Sequence, residues 1–150
     1  MRRILLAALL MLMAAPVAVR AEPSGIKKGA GEYQAGVTAR IIAKTAVTGN
    51  GQQIVYPRTD RAEVTAMEVT LPPGAETGWH QHPIPVYAYV QSGELEVEIA
   101  GGLTKHFKSG DAIIEVVNTL HNGRNRGEET VRLAVFYLGV QGEPNVIKMP

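Results

Sequence analysis

The chain has 150 residues, 45% hydrophobic and 19% charged, with 16 glycines and 9 prolines, an ordinary globular composition rich in turn formers that suits a single domain. A formal charge of +1 and the lack of any basic run argue against nucleic acid as a partner. With no cysteine, disulfides and a cysteine lipid anchor are excluded, so stability must come from the core or an oligomer interface.

Arg2 and Arg3 precede an apolar run from Ile4 to Val19, broken by Pro16, and Val19-Arg20-Ala21 has small or short residues where a signal peptidase cuts. The run is shorter than the roughly 20 residues a spanning helix needs, and no stop-transfer pattern follows. A cleaved signal peptide over residues 1–21 is expected, with export to the periplasm or beyond and no stable membrane anchor. The usual surroundings of a twin-arginine signal are missing, so general secretion is the expected route. Removing the leader takes away three basic residues and leaves a formal charge of −2. Glu22 to Gly36 is rich in Gly, Ala and charge without a period, and reads as an N-terminal arm or disordered leader.

Residues 37–150 carry almost only β signals. Val37 to Val47 reads as a first strand, although Ala39 to Ala46 also fits a short helix; Gly49-Asn50-Gly51 turns the chain into Gln53 to Tyr56, stopped by Pro57. Glu63 to Leu71 alternates Met67, Val69 and Leu71 with Glu68 and Thr70, as a half-buried strand should. Pro72-Pro73-Gly74 then leads to His80 and His82. Val86 to Val90 and Glu94 to Ile99 flank Ser92-Gly93 and predict a hairpin. Gly101-Gly102 opens Leu103 to Phe107, and Ala112 to Val117 and Thr130 to Leu138 complete the set. Beyond Gly139 a short tail or edge strand is expected, with Pro144 limiting its pairing. Short strands at close spacing without a long helix indicate an all-β sandwich or barrel.

Alternation along a strand places His80 and His82 on one face, about 6.6 Å apart, where two imidazoles can converge on one ion. His121 is the candidate third ligand, whereas His106 reads as a solvent-facing strand residue. Glu115 sits in the apolar run of Ala112, Ile113, Ile114, Val116 and Val117. Facing inward, it must meet the ion or its bound water, because an unpaired buried carboxylate is costly; facing outward, it is an ordinary surface glutamate. Gln81 alternates away from the histidines. Trp79 and Tyr87, with Tyr89, either line a pocket mouth or pack in the strands, Arg124 either holds an anionic substrate or is solvated, and Asn125 braces the barrel. One divalent ion per chain is expected, and imidazole alone does not choose among Fe, Mn, Ni, Cu and Zn.

The spacing Gly74, five residues, His80-x-His82, then Gly93, followed by Gly110-Asp111, five residues from Gly110 to Val116, and His121 with Asn125 four positions later, resembles the two motifs of the cupin superfamily. The resemblance covers roughly residues 62–138. It implies a small jelly-roll β-barrel with a divalent metal inside, motifs at 74–93 and 110–125, and a homodimer paired through sheet edges or N-terminal arms. Two departures stand out. Val86 occupies the position of the glutamate ligand that the first motif normally carries, and Val116 and Asn118 replace the usual proline and glycine of the second. Asn118 tolerates the positive φ that glycine would supply.

Resemblance to cupin dioxygenases implies an oxidoreductase acting on a small organic acid or phenolic compound, with Glu115 as fourth ligand. With zinc, lyase, isomerase or hydrolase chemistry is the alternative, with Glu115 as general base. A periplasmic small-molecule binding protein with a structural or vestigial metal is the non-catalytic alternative. Export after Ala21 predicts that protein recovered from the periplasm begins at Glu22. N-terminal sequencing checks this, and recovery of an intact leader would contradict it.

Overall fold

The computed structural model describes residue 34 and residues 36–149. The expected signal peptide over residues 1–21, and residues 22–33 and 35 of the expected arm, lie outside the described residues. From Ile41 onward the described residues form one compact unit with nine strands, and there is no helix among the described residues. In chain order the strands are β1 Ala62–Leu71, β2 His80–Gln81, β3 Val86–Ser92, β4 Glu94–Ile99, β5 Leu103–Lys108, β6 Ala112–Ile114, β7 His121–Arg124, β8 Val131–Val140 and β9 Ile147–Lys148. They form a four-stranded sheet, β1-β8-β3-β6, and a five-stranded sheet, β5-β4-β7-β2-β9, with every pair antiparallel. This is the all-β jelly-roll expected from the sequence.

The core follows from strand parity. Val86, Ala88 and Val90 of β3, Leu95, Val97 and Ile99 of β4, and Val131, Leu133, Val135 and Tyr137 of β8 are all buried, at alternate positions. Each such side chain stabilises the barrel by about 1.5–3 kcal/mol when fully buried. The glutamates that alternate with them on β4 face out, where Glu96 and Glu98 meet Arg126 and Arg124 at 3.4 and 3.2 Å.

Several expected elements differ. Val37 to Val47 and Gln53 to Tyr56 are not strands; only an isolated Val47–Gln53 bridge forms, and Ile41, Ile42, Val55 and Tyr56 stay exposed, without a ladder to hold them. Ser92-Gly93 is not a hairpin turn, because β3 and β4 belong to different sheets. It is a corner, and the true hairpin is β4–β5, closed through Gly101 and Gly102, both at positive φ. The Asn-Gly-Arg stretch after His121, loop-like in composition, is part of strand β7. It lies between β4 and β2 and borrows their hydrogen bonds, which outweigh its poor β propensity. The expected strand over Ala112 to Val117 pairs only to Ile114. The segment after Gly139 does supply an edge strand, β9, which pairs with β2.

Asn118 has φ 50°, and its N–H donates to the His82 carbonyl at 2.8 Å, so it does the work of the missing glycine. Gly93 is more constrained. Its φ is +74°, and a Cβ there would lie 3.0 Å from the Thr130 carbonyl oxygen and from Val131 Cα, both backbone atoms. Left-handed strain and overpacking together predict that Gly93→Ala lowers stability by about 2 kcal/mol or more. Urea unfolding followed by tryptophan fluorescence and circular dichroism checks this; an unchanged midpoint would contradict the crowded corner.

Candidate metal centre

Three elements of the five-stranded sheet and its loops bring the histidines together. His80 on β2 lies directly opposite His121 on β7, so the two side chains share a face. His82 follows β2 and makes an isolated parallel bridge to Val117. The ring centroids are 4.4 Å apart for His80 and His121, 4.9 Å for His80 and His82, and 5.0 Å for His82 and His121. Their candidate ligand nitrogens all lie within 4.8 Å of one another.

Backbone carbonyls fix which nitrogen each ring offers. The Nδ1 atoms of His80, His82 and His121 lie 2.7, 2.9 and 2.9 Å from the carbonyl oxygens of Gly78, Asn145 and Thr119. A carbonyl only accepts, so each Nδ1 carries the proton and each Nε2 presents a lone pair, the arrangement that prepares a histidine for metal ligation. Burial pushes His80 and His82 below the ordinary imidazole pKa, favouring the neutral form that binds metals.

Glu115 faces inward. Its backbone N–H still bonds to the Val86 carbonyl at 3.1 Å, but it lies just beyond β6, and its side chain is only 14% exposed. Glu115 Oε2 is 3.1 Å from His121 Nε2, whose ring is 3% exposed. Burial alone would raise the carboxyl pKa and lower that of the imidazole, yet their contact outweighs it in both directions: Glu115 is lowered and His121 raised. His121 Nε2 is also buried without a hydrogen-bond partner. A lone pair and a carboxylate at this separation call for a positive charge, either a proton or a cation.

The four side chains therefore fit a metal ion. Bonds of about 2.0–2.1 Å at tetrahedral angles place the nitrogens of one ion about 3.3 Å apart, so rings whose ligand atoms lie within 4.8 Å of one another close on an ion by at most about 1.5 Å, which small side-chain rotations supply. The site opens on a cavity of about 320 Å³, whose walls include Val69, Leu95, Val97, Leu133, Val135 and Val146, with Thr77, Tyr137 and Lys148 as the further polar residues. A larger hollow of about 580 Å³ lies outside, against Pro83, Pro85 and Pro144, and contains none of the histidines.

Of the residues weighed for the pocket, Trp79, Tyr87 and Arg124 lie outside the lining of the histidine cavity. Tyr87 alternates with buried Val86 and Ala88, so it faces outward, its hydroxyl 3.0 Å from that of Tyr56. Trp79 is half-buried outside the cavity lining, and its carbonyl accepts the Met149 N–H at 3.1 Å. Arg124 alternates with the cavity-lining Gly123 and pairs instead with Glu76 and Glu98, at 3.4 and 3.2 Å. His106 is exposed on β5, as read from the sequence. Asn125 is buried and braces the chain, donating to the carbonyls of Leu71 and Glu129. The sequence reading missed Tyr137, Lys148 and the Asn145 carbonyl. The alternation of Val131, Leu133 and Val135 carries on to Tyr137 and could have revealed it; the other two depend on the docking of β9.

The family model of the cupin domain matches residues 67–137. Solved structures of similar fold include the DMSP lyase DddQ from Ruegeria pomeroyi DSS-3, at 22% identity and a TM-score of 0.50, covering 57% of this chain and 43% of that one. An oxalate oxidase matches at 23% identity and a TM-score of 0.51, covering 58% of this chain and 46% of that one. An oxalate decarboxylase matches at 20% and 0.50, covering 57% and 24%. The match spans less than half the length of each of these proteins, and at such identities the likeness shows the fold alone. No curated protein matches the chain.

A shared site predicts that His121→Ala loses stoichiometric metal while remaining folded, and that Glu115→Gln weakens metal affinity by about 10- to 100-fold. Elemental analysis of untagged protein and competition with a chelating dye read both outcomes. Full metal retention in Glu115→Gln would remove the carboxylate from the ligand set.

Proposed function

We propose, from the cupin-domain match over residues 67–137 and the donor set inside the barrel, that this chain is a cupin and a metal-dependent oxidoreductase of dioxygenase type, acting on a small organic acid or phenolic compound. The observation that carries this reading is the inward Glu115, which adds a carboxylate to three imidazoles whose Nε2 atoms are already directed into one cavity. A redox-active divalent ion held there supplies Lewis acidity and electrons for reaction with dioxygen. The protein's own residues do the rest. Glu115 offsets part of the ionic charge, the three carbonyls hold the imidazole planes, and the branched aliphatic walls exclude water, which strengthens every electrostatic contact inside.

A zinc-type lyase, isomerase or hydrolase is the second reading, favoured by the same Glu115. Released from the ion, its carboxylate is placed to take a proton from substrate or water. Export to the periplasm and a homodimer complete the proposal. The outer side of the four-stranded sheet offers the dimer an apolar surface, with Val64, Tyr89 and Phe136 exposed.

Screening the iron-, manganese-, copper-, nickel- and zinc-loaded protein against small acids and phenols in an oxygen electrode tests the reading. Substrate-dependent oxygen uptake by one redox-active form, lost in His121→Ala, is the expected result. Turnover by the zinc form without oxygen uptake would favour the second reading. Metal-independent binding without turnover by any form would make the chain a small-molecule binding protein.

A further inference from the structure

Lys148 is the one lysine or arginine among the described residues that line the histidine cavity. Its position is set by the sheet. On the β2–β9 ladder His80 lies opposite Lys148 and Gln81 opposite Ile147. Directly opposed residues share a face, so Lys148 stands on the side of His80. Ile147 accordingly lines the outer hollow, whereas Val146 and Lys148 line the cavity. The segment is held at both ends: the Asn145 carbonyl accepts from His82 Nδ1, and the Met149 N–H donates to the Trp79 carbonyl.

Lys148 enters none of the ion pairs found among the described residues. The opposite walls are aliphatic, formed by Val69, Leu95, Val97, Leu133 and Val135. An exposed, unpaired cation at the edge of such a chamber suits a ligand with one anionic end and a hydrocarbon body. Phenols, neutral at pH 7, leave the ammonium without a counter-ion.

Resting on the assignment of this cavity as the substrate site, we propose that Lys148 determines specificity for small aliphatic monocarboxylates, pairing with the carboxylate while the hydrocarbon body packs on the branched walls. The class is thereby narrowed from acids or phenols to acids.

The test uses butyrate, isovalerate and hexanoate, each with its primary amide, titrated calorimetrically into the Co(II)-loaded and the metal-free protein. Wild type, Lys148→Met and Lys148→Arg are compared after circular dichroism confirms folding. Wild type is expected to bind the acids at least about tenfold more tightly than the amides. Lys148→Met should lose about tenfold for the acids and nothing for the amides. Lys148→Arg should keep most of the acid affinity, and metal content should be equal in all three proteins.

Equal acid affinity in wild type and Lys148→Met would overturn the proposal, as would acids binding no better than amides, or no acid binding in either form. Loss of metal from Lys148→Met would also overturn it, by making Lys148 part of the scaffold of the centre. Failure of wild type to take up stoichiometric metal would refute the metal-dependent reading alone, and the metal-free titration would still decide the role of Lys148.

Discussion

Three hydrogen bonds from imidazole Nδ1–H groups to backbone carbonyls hold this protein's candidate centre in register. Each contributes only about 1 kcal/mol net to stability. Their larger effect is directional, because each removes one tautomer and most of the rotation of a ring. Two of the carbonyls are local: Gly78 precedes His80 by two residues, and Thr119 precedes His121 by two. The third, Asn145, is 63 residues from His82 and lies just ahead of β9. The centre thus combines two self-contained turns with one contact that only the folded barrel provides.

Around these rings the barrel opposes two tendencies. Burial favours neutral groups, which suits imidazoles that must donate lone pairs but works against a carboxylate. Burial raises the Glu115 pKa, but contact with His121 outweighs it and lowers it overall, and the pair is stabilised further by any cation placed between them. The absence of a glutamate at Val86 is consistent with this arrangement. Val86 is among the most buried side chains, and Glu115, whose backbone N–H bonds to the Val86 carbonyl, places its carboxylate in the cavity from the neighbouring chain segment.

What could be read from the sequence was what depends on spacing within a strand. The i, i+2 parity of His80 and His82, the alternation of Leu95, Val97 and Ile99, and the tolerance of Asn118 for positive φ are local properties, and each has its counterpart in the fold. Glu115 was undecidable because it lies one residue past the end of β6, where parity along the strand ceases to determine direction. Ser92-Gly93 resembled a hairpin because a tight turn and a corner between sheets ask for the same residues. Tyr87 and Arg124 suggested a pocket through their chemistry, while their parity, set by buried neighbours, turned them outward. Strands β2, β7 and β9, of two to four residues each, carry too little pattern of their own and exist through their partners.

The reliance of the centre on β9 has a consequence for biosynthesis. Synthesis runs from the N-terminus, so β9 is the last of the described strands to leave the ribosome. Until it docks, the ring of His82 lacks its carbonyl, and the edge of β2 is open. A nascent or prematurely terminated chain can collapse its hydrophobic core, built entirely upstream of residue 138, and still lack a finished centre. The surroundings of the three rings are thereby complete only once residues 145–148 have docked.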